Sequence, residues 1–113
     1  MGAAGDEKRR AKAARKRARK LLKAHLDPLQ RKQLKRKGYF EVWSSKGNVF
    51  RIAKEFPFNV RLAGDARKSY IYFCLEAEDP TIPHADVMLS QKLLLEHNEG
   101  EFLRMANMAY IPE

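Results

Sequence analysis

Apolar positions along this chain follow two different periods, and the change between them falls near residue 38. From Asp6 onward, Ala11, Ala14, Ala18, Leu21, Leu22 and His25 recur at steps of three and four, which predicts a helix with one narrow apolar stripe. The rest of that segment is almost entirely Lys, Arg and Ala, all strong helix formers, and Asp6 and Glu7 suit the positive end of a helix. The alanine half is expected to stand exposed, with the Leu21, Leu22 and Leu26 end docked on a core. Leu26-Asp27-Pro28 reads as a stop and a restart, since Asp caps a helix and Pro is tolerated at its first position. A second helix over Pro28 to Lys37 follows, with Leu29 and Leu34 expected inward and Gly38 closing it.

Beyond Gly38 the period becomes two. Tyr39 to Ser44 and Asn48 to Lys54 are aromatic and β-branched runs around Ser45-Lys46-Gly47, a hairpin signal. Phe56-Pro57 interrupts, Asn59 to Leu62 predicts a short third strand, and Gly64 to Ser69 a polar turn. Ser69 to Leu75 is apolar on both alternations and is expected to lie centrally in the sheet. After Glu78-Asp79-Pro80-Thr81-Ile82-Pro83, the run containing Ala85, Val87, Met88, Leu89, Leu93, Leu94 and Leu95 predicts a helix apolar around most of its circumference. Such a helix must be buried against the sheet and against something else. Asn98 can cap a last helix, with Glu101 three residues on and Phe102, Leu103, Met105, Ala106 and Ala109 as its apolar face. The expected fold is therefore α+β: a basic N-terminal helix, a short second helix, a four-stranded antiparallel meander and two C-terminal helices.

Charge sharpens this division. Residues 1–37 hold fifteen Lys and Arg against Asp6, Glu7 and Asp27, a net of +12, whereas residues 38–113 hold eight against eleven acids, a net of −3. The pattern reads as a basic helical arm, residues 1–37, joined to a small, slightly acidic α+β domain, residues 38–113. So small a core suits a protein stabilised by a partner.

Dense cations on a helix fit a polyanion of regular charge spacing, because neutralising phosphates releases counterions and gives strong, salt-sensitive binding. Nucleic acid, DNA or RNA, is the expected partner. The phosphate-contacting set is Lys8, Arg9, Arg10, Lys12, Arg15, Lys16, Arg17, Arg19, Lys20 and Lys23, extended by Arg31, Lys32, Lys35, Arg36 and Lys37. Lys and Arg without Asn or Gln position a duplex or strand more than they discriminate bases. Tyr39, Trp43, Phe50, Tyr70 and Tyr72, near Arg51, Arg61, Arg67 and Lys68, add a possible sheet platform for unpaired bases, set against the need of so small a sheet to use its rings as core.

Other classes find less support. No stretch approaches the length of a membrane span, the N-terminus has no apolar segment behind its charges, and the alanine stripe lacks the large residues of an interfacial helix. One cysteine, Cys74, excludes an internal disulfide, so a cytoplasmic location, or the nucleoid, is expected. His25, His84 and His97 fall on three helical regions without a nucleophile turn, a phosphate loop or paired carboxylates, so no enzyme, cofactor or catalytic residue is expected. Cys74 with His84 is the nearest approach to a reactive pair.

From Cys74 the chain reads Cys74-Leu75-Glu76, then seven residues, then His84-Ala85-Asp86 at the start of an apolar helix. In outline, over Tyr39 to Leu95, this resembles the SWIM zinc-chelating domain, in which a hairpin ending in Cys-x-Cys leads to Cys-x-His at a helix start. Glu76, His84 and Asp86 stand where that family has Cys, Cys and His, a poor set for structural zinc. The resemblance implies a metal-less relative of a domain type associated with nucleic-acid and protein binding. Asp86 is expected in the first helical turn and Cys74 as a small apolar packer. The segments Pro83 to Leu89, Gln91 to Glu96 and Phe102 to Asn107 are also similar to a pattern in small bacterial and phage proteins of unassigned function, which implies fold only.

The expected function is that of a nucleic-acid-binding accessory protein without catalysis. The alternative is a protein-interaction module, a phage or bacterial regulator or a subunit of a larger enzyme, ribonucleoprotein or virion, docking through its C-terminal helices. Deletion of residues 1–24 should separate the two.

Overall fold

A computed structural model describes residues 3–63 and 71–110. Within them lie four helices, α1 (Ala3–Ala24), α2 (Pro28–Lys37), α3 (His84–His97) and α4 (Glu99–Met105). Five strands, β1 (Tyr39–Trp43), β2 (Val49–Ala53), β3 (Val60–Ala63), β4 (Ile71–Cys74) and β5 (Asn107–Tyr110), form one antiparallel sheet in the order β1-β2-β3-β4-β5. Ser69, Tyr70 and the turn expected over Gly64 to Ser69 lie outside the described residues.

The α+β class and the four helices match expectation, but the sheet has five strands rather than four. The additional strand comes from residues expected to prolong the last helix. Ala106 leaves helical conformation (φ −77°, ψ 146°) while its N–H still bonds the Phe102 carbonyl, and Asn107 to Tyr110 then pair with β4 from Cys74 back to Ile71. Ala109 thus belongs to a strand and Ala106 to the junction. The physical reason is the far edge of β4, whose unpaired backbone groups β5 satisfies. That pairing is also what makes β4 an interior strand.

Several local expectations hold because the signals were chemical. Asp27 caps α2, accepting from the Gln30 N–H at 2.8 Å, and the Gln30 side chain returns a bond to the Asp27 N–H at 3.1 Å. Gly38 ends α2 in the left-handed region, φ 76°. In the β1–β2 turn, Gly47 at φ 81° donates to the Ser44 carbonyl, the geometry a tight hairpin asks of glycine.

The core lies on one face of the sheet. Phe40 and Val42 of β1, Phe50 and Ile52 of β2 and Val60 of β3 are buried there, and Phe50, Phe73 and Phe102 meet edge to face with centroids 6.1 to 6.3 Å apart. Over this face lies α3, and the element covering its other side is α1. Ala18, Leu22 and Leu26 are buried in the same core, so the core draws on both sides of the charge boundary. The small alanine lets the two helix backbones approach closely. Leu21, expected to dock, is instead 47% exposed, because the contact line runs at steps of four through Ala14, Ala18 and Leu22 and leaves it to one side.

A second correction concerns α2. Leu29 is 64% exposed, and Gln30 takes the buried place expected for it. Gln30 donates to the Glu41 carbonyl at 2.9 Å, and Gln33 accepts from the Glu41 N–H at 2.9 Å. Two amides on α2 thereby close the outer edge of β1, a task leucine cannot perform.

Candidate nucleic-acid interface

All fifteen Lys and Arg of residues 1–37 are exposed, which follows from α1 spending only its Ala14, Ala18 and Leu22 line on α3. They fall into four groups. Lys8, Arg9, Arg10 and Lys12 lie on the stretch from Glu7 to Ala13, which is exposed on every side and contributes to a longest dimension of 54 Å against 29 and 27 Å for the other two. Lys16, Arg17 and Lys20 follow on the outer side of the docked half, while Lys32, Arg36 and Lys37 lie on α2. Arg15, Arg19, Lys23, Arg31 and Lys35 converge on a cleft between the two helices.

The cleft has a volume of about 890 Å³ and is closed on its third side by Pro80 to Ala85 and Met88. Lys54, just after β2, adds a sixth cation from the body of the protein. Among the described residues no Asp or Glu lines it, and none of the six cations has an ion-pair partner. Among the described residues Arg9, with Asp6, is the one paired cation of the arm. The Arg31 Nε donates to the Lys23 carbonyl at 2.9 Å, which ties α2 to the end of α1 and fixes the width of the cleft there.

The third wall is shaped by its own chemistry. Asp79 accepts from the Thr81 N–H at 2.8 Å and the Thr81 hydroxyl at 2.7 Å, and these two bonds hold its carboxyl below the usual aspartate range. Pro83 then opens α3. At its first residue, His84 stacks on Phe56 with ring centroids 4.0 Å apart and an interplanar angle of 13°. Lys54, Phe56 and the Pro80–Pro83 wall were not singled out from sequence. Nothing local marks them, since Lys54 and the wall reach the cleft, and Phe56 reaches His84, only through folding.

The aromatic residues divide. Phe50 is core and cannot stack on a base. Tyr39, Trp43 and Tyr72 belong to the other face of the sheet, where Arg51 lies 4.8 Å from the Tyr39 ring centre and Arg61 5.9 Å from that of Tyr72. Trp43 is 71% exposed, whereas Tyr39 and Tyr72 are half-buried. Glu41, paired with Arg51 at 3.1 Å, places an acid in the same row. Tyr70, Arg67 and Lys68 lie outside the described residues.

His84 faces the cationic cleft, while Glu76 and Asp86 line a separate hollow of about 270 Å³ and Cys74 lines neither. Among the described residues no three His, Cys, Asp or Glu side chains are grouped to hold a metal ion. Among the described residues no helix is long and apolar enough to cross a membrane. No protein-family model, curated protein or solved structure matches this chain.

Proposed function

We propose that this protein is a nucleic-acid-binding accessory protein that grips the phosphate backbone with α1 and α2. The observation that carries the reading is the way α1 is held. Its Ala18 and Leu22 are buried on α3, yet every cation from Lys8 to Lys23 is exposed, and among the described residues only Arg9 is paired. A rod of cations fixed to a folded body keeps its charge spacing, so less ordering cost falls on binding than for a flexible tail. Phosphates replace water and counterions around these groups, and the released ions drive association.

Salt titration tests this. The logarithm of the association constant should fall linearly with the logarithm of salt concentration, and each of Lys16→Gln, Arg17→Gln and Lys20→Gln that removes a phosphate contact should flatten the slope by about 0.7 to 0.9. A slope near zero in the unmodified protein rules the reading out. Surface substitution is the cleaner test because deleting residues 1–24 would also strip Ala18 and Leu22 from the core.

A second reading, a protein-docking module, draws support from apolar residues left exposed near the C-terminal helices: Leu93, Leu103, Met105 and Met108 are each between 39% and 55% exposed. Most of α3 is spent internally, on the sheet and on α1, so the available surface is chiefly α4 and β5. Protein capture that persists after nuclease treatment would favour this reading.

A further inference from the structure

We infer that the cleft between α1, α2 and the Pro80–Pro83 wall accepts an unpaired nucleotide of a single strand, its base stacking on His84 and its flanking phosphates lying on Arg15, Arg19 and Lys35. This rests on the nucleic-acid reading above and narrows it to strands with unstacked bases. Three observations converge. Among the described residues the cleft is lined by six cations and no acid, which suits an anion of more than one charge. Most of its other lining is apolar, including Leu22, Leu34, Ile82, Pro83 and Met88, which a bare phosphate cannot use but a base can. Finally, Phe56 stacks on one face of the His84 ring without itself lining the cleft, so His84 presents its other face or its edge to the cavity.

The inferred stack uses the face opposite Phe56, with Phe56 as backing and exposed His84 as the outer plate. A base laid on it continues the pile at little cost in side-chain ordering, and stacking of this kind tolerates any base. A volume of about 890 Å³ lies at the upper end for small-molecule pockets and leaves room for a nucleotide with its neighbouring phosphates. A paired base inside a duplex keeps its faces covered by its neighbours and cannot offer one to His84. Duplex contact is then confined to the exposed cations of α1.

Full-length protein is titrated against a short single strand carrying the fluorescent base 2-aminopurine and against a blunt duplex of the same length, at low salt. His84→Ala should weaken single-strand binding roughly tenfold and abolish the fluorescence quenching that stacking produces. His84→Phe should restore both, and duplex affinity should stay within about twofold throughout, by the sequence-independence of phosphate contacts. Unchanged single-strand affinity and quenching in His84→Ala would overturn the cleft assignment while leaving the phosphate-binding arm in place. Failure of the unmodified protein to bind either oligonucleotide would overturn both.

Discussion

Asn59 and Gln91 hold each other through a closed pair of amide hydrogen bonds, Asn59 Nδ2 to Gln91 Oε1 at 2.8 Å and Gln91 Nε2 to Asn59 Oδ1 at 3.0 Å. Each second amide hydrogen is also used, by the Ala53 and Leu75 carbonyls at 3.0 Å. Both side chains are almost wholly buried, 4% and 1% exposed, so the pair pins the start of β3 to the middle of α3 at no unmet polar cost. Such a junction has one geometry, which is what a helix carrying one wall of the cleft needs.

Gln91→Leu leaves the Asn59 side-chain oxygen and one of its two amide hydrogens, together with the Leu75 carbonyl, without their Gln91 partner. A loss of about 2 to 4 kcal/mol in unfolding free energy is expected, from the cost of buried unpaired polar groups. Urea denaturation checks it, and a double-mutant cycle with Asn59→Leu should return a coupling of about 1 to 3 kcal/mol.

Ala18 sets the separation of α1 and α3. Ala18→Leu forces extra volume into a closed contact and should cost about 1 to 3 kcal/mol. The same variant should weaken nucleic-acid binding without removing a charge, since it tilts the arm relative to α2 and Lys54. Retention of full affinity alongside a measured loss of stability would show that the docking of α1 does not position its cations.

Gly38→Ala places a Cβ on a left-handed residue, only 3.3 Å from the Lys54 side chain. A destabilisation of about 1 to 2 kcal/mol is expected from the backbone alone. Because the Lys54 stem is flexible, it can move aside, and thermal unfolding should show this modest loss without a change of fold.

Asp79 makes the cleft wall acid-sensitive. Its folded-state pKa lies below its unfolded value, because the Thr81 N–H and hydroxyl stabilise the carboxylate. The contribution is therefore complete above the ordinary aspartate range and is lost as pH falls through the lowered folded value. An NMR titration should find the Asp79 carboxyl midpoint below that of an unstructured aspartate, with the Thr81 amide following it. Asp79→Ala should erase the Thr81 response.

Buried Lys92 has its ammonium 2.7 Å from Glu96, one turn along α3. Glu96→Ala leaves that ammonium largely out of water without its counterion, and a loss of about 3 kcal/mol is expected in chemical denaturation. Lys92→Met in the same background should recover most of it, because a buried apolar side chain of similar length needs no partner.

Much of the secondary structure was legible because its causes are local. Asp27-Pro28 starts α2, Gly38 stops it, Gly47 turns the hairpin, and Phe40 and Val42 alternate with Tyr39, Glu41 and Trp43 across the pleat. The cation inventory of the arm was legible for the same reason: charge is a property of composition, and a helix with one small-residue stripe must expose the rest. Tertiary structure decided what distant segments do to one another. The pairing of β5 with β4 overrode helical spacing at Ala106 and Ala109, because the edge of β4 offers these residues backbone partners that local spacing does not reveal. Gln30 displaced Leu29 from the interior because the edge of β1 needed an amide. The cleft belongs to this second kind: Arg15, Arg31, Lys54 and His84 come from four parts of the chain, and only the packing of α1 on α3 brings their charges and the stacked ring to one cavity.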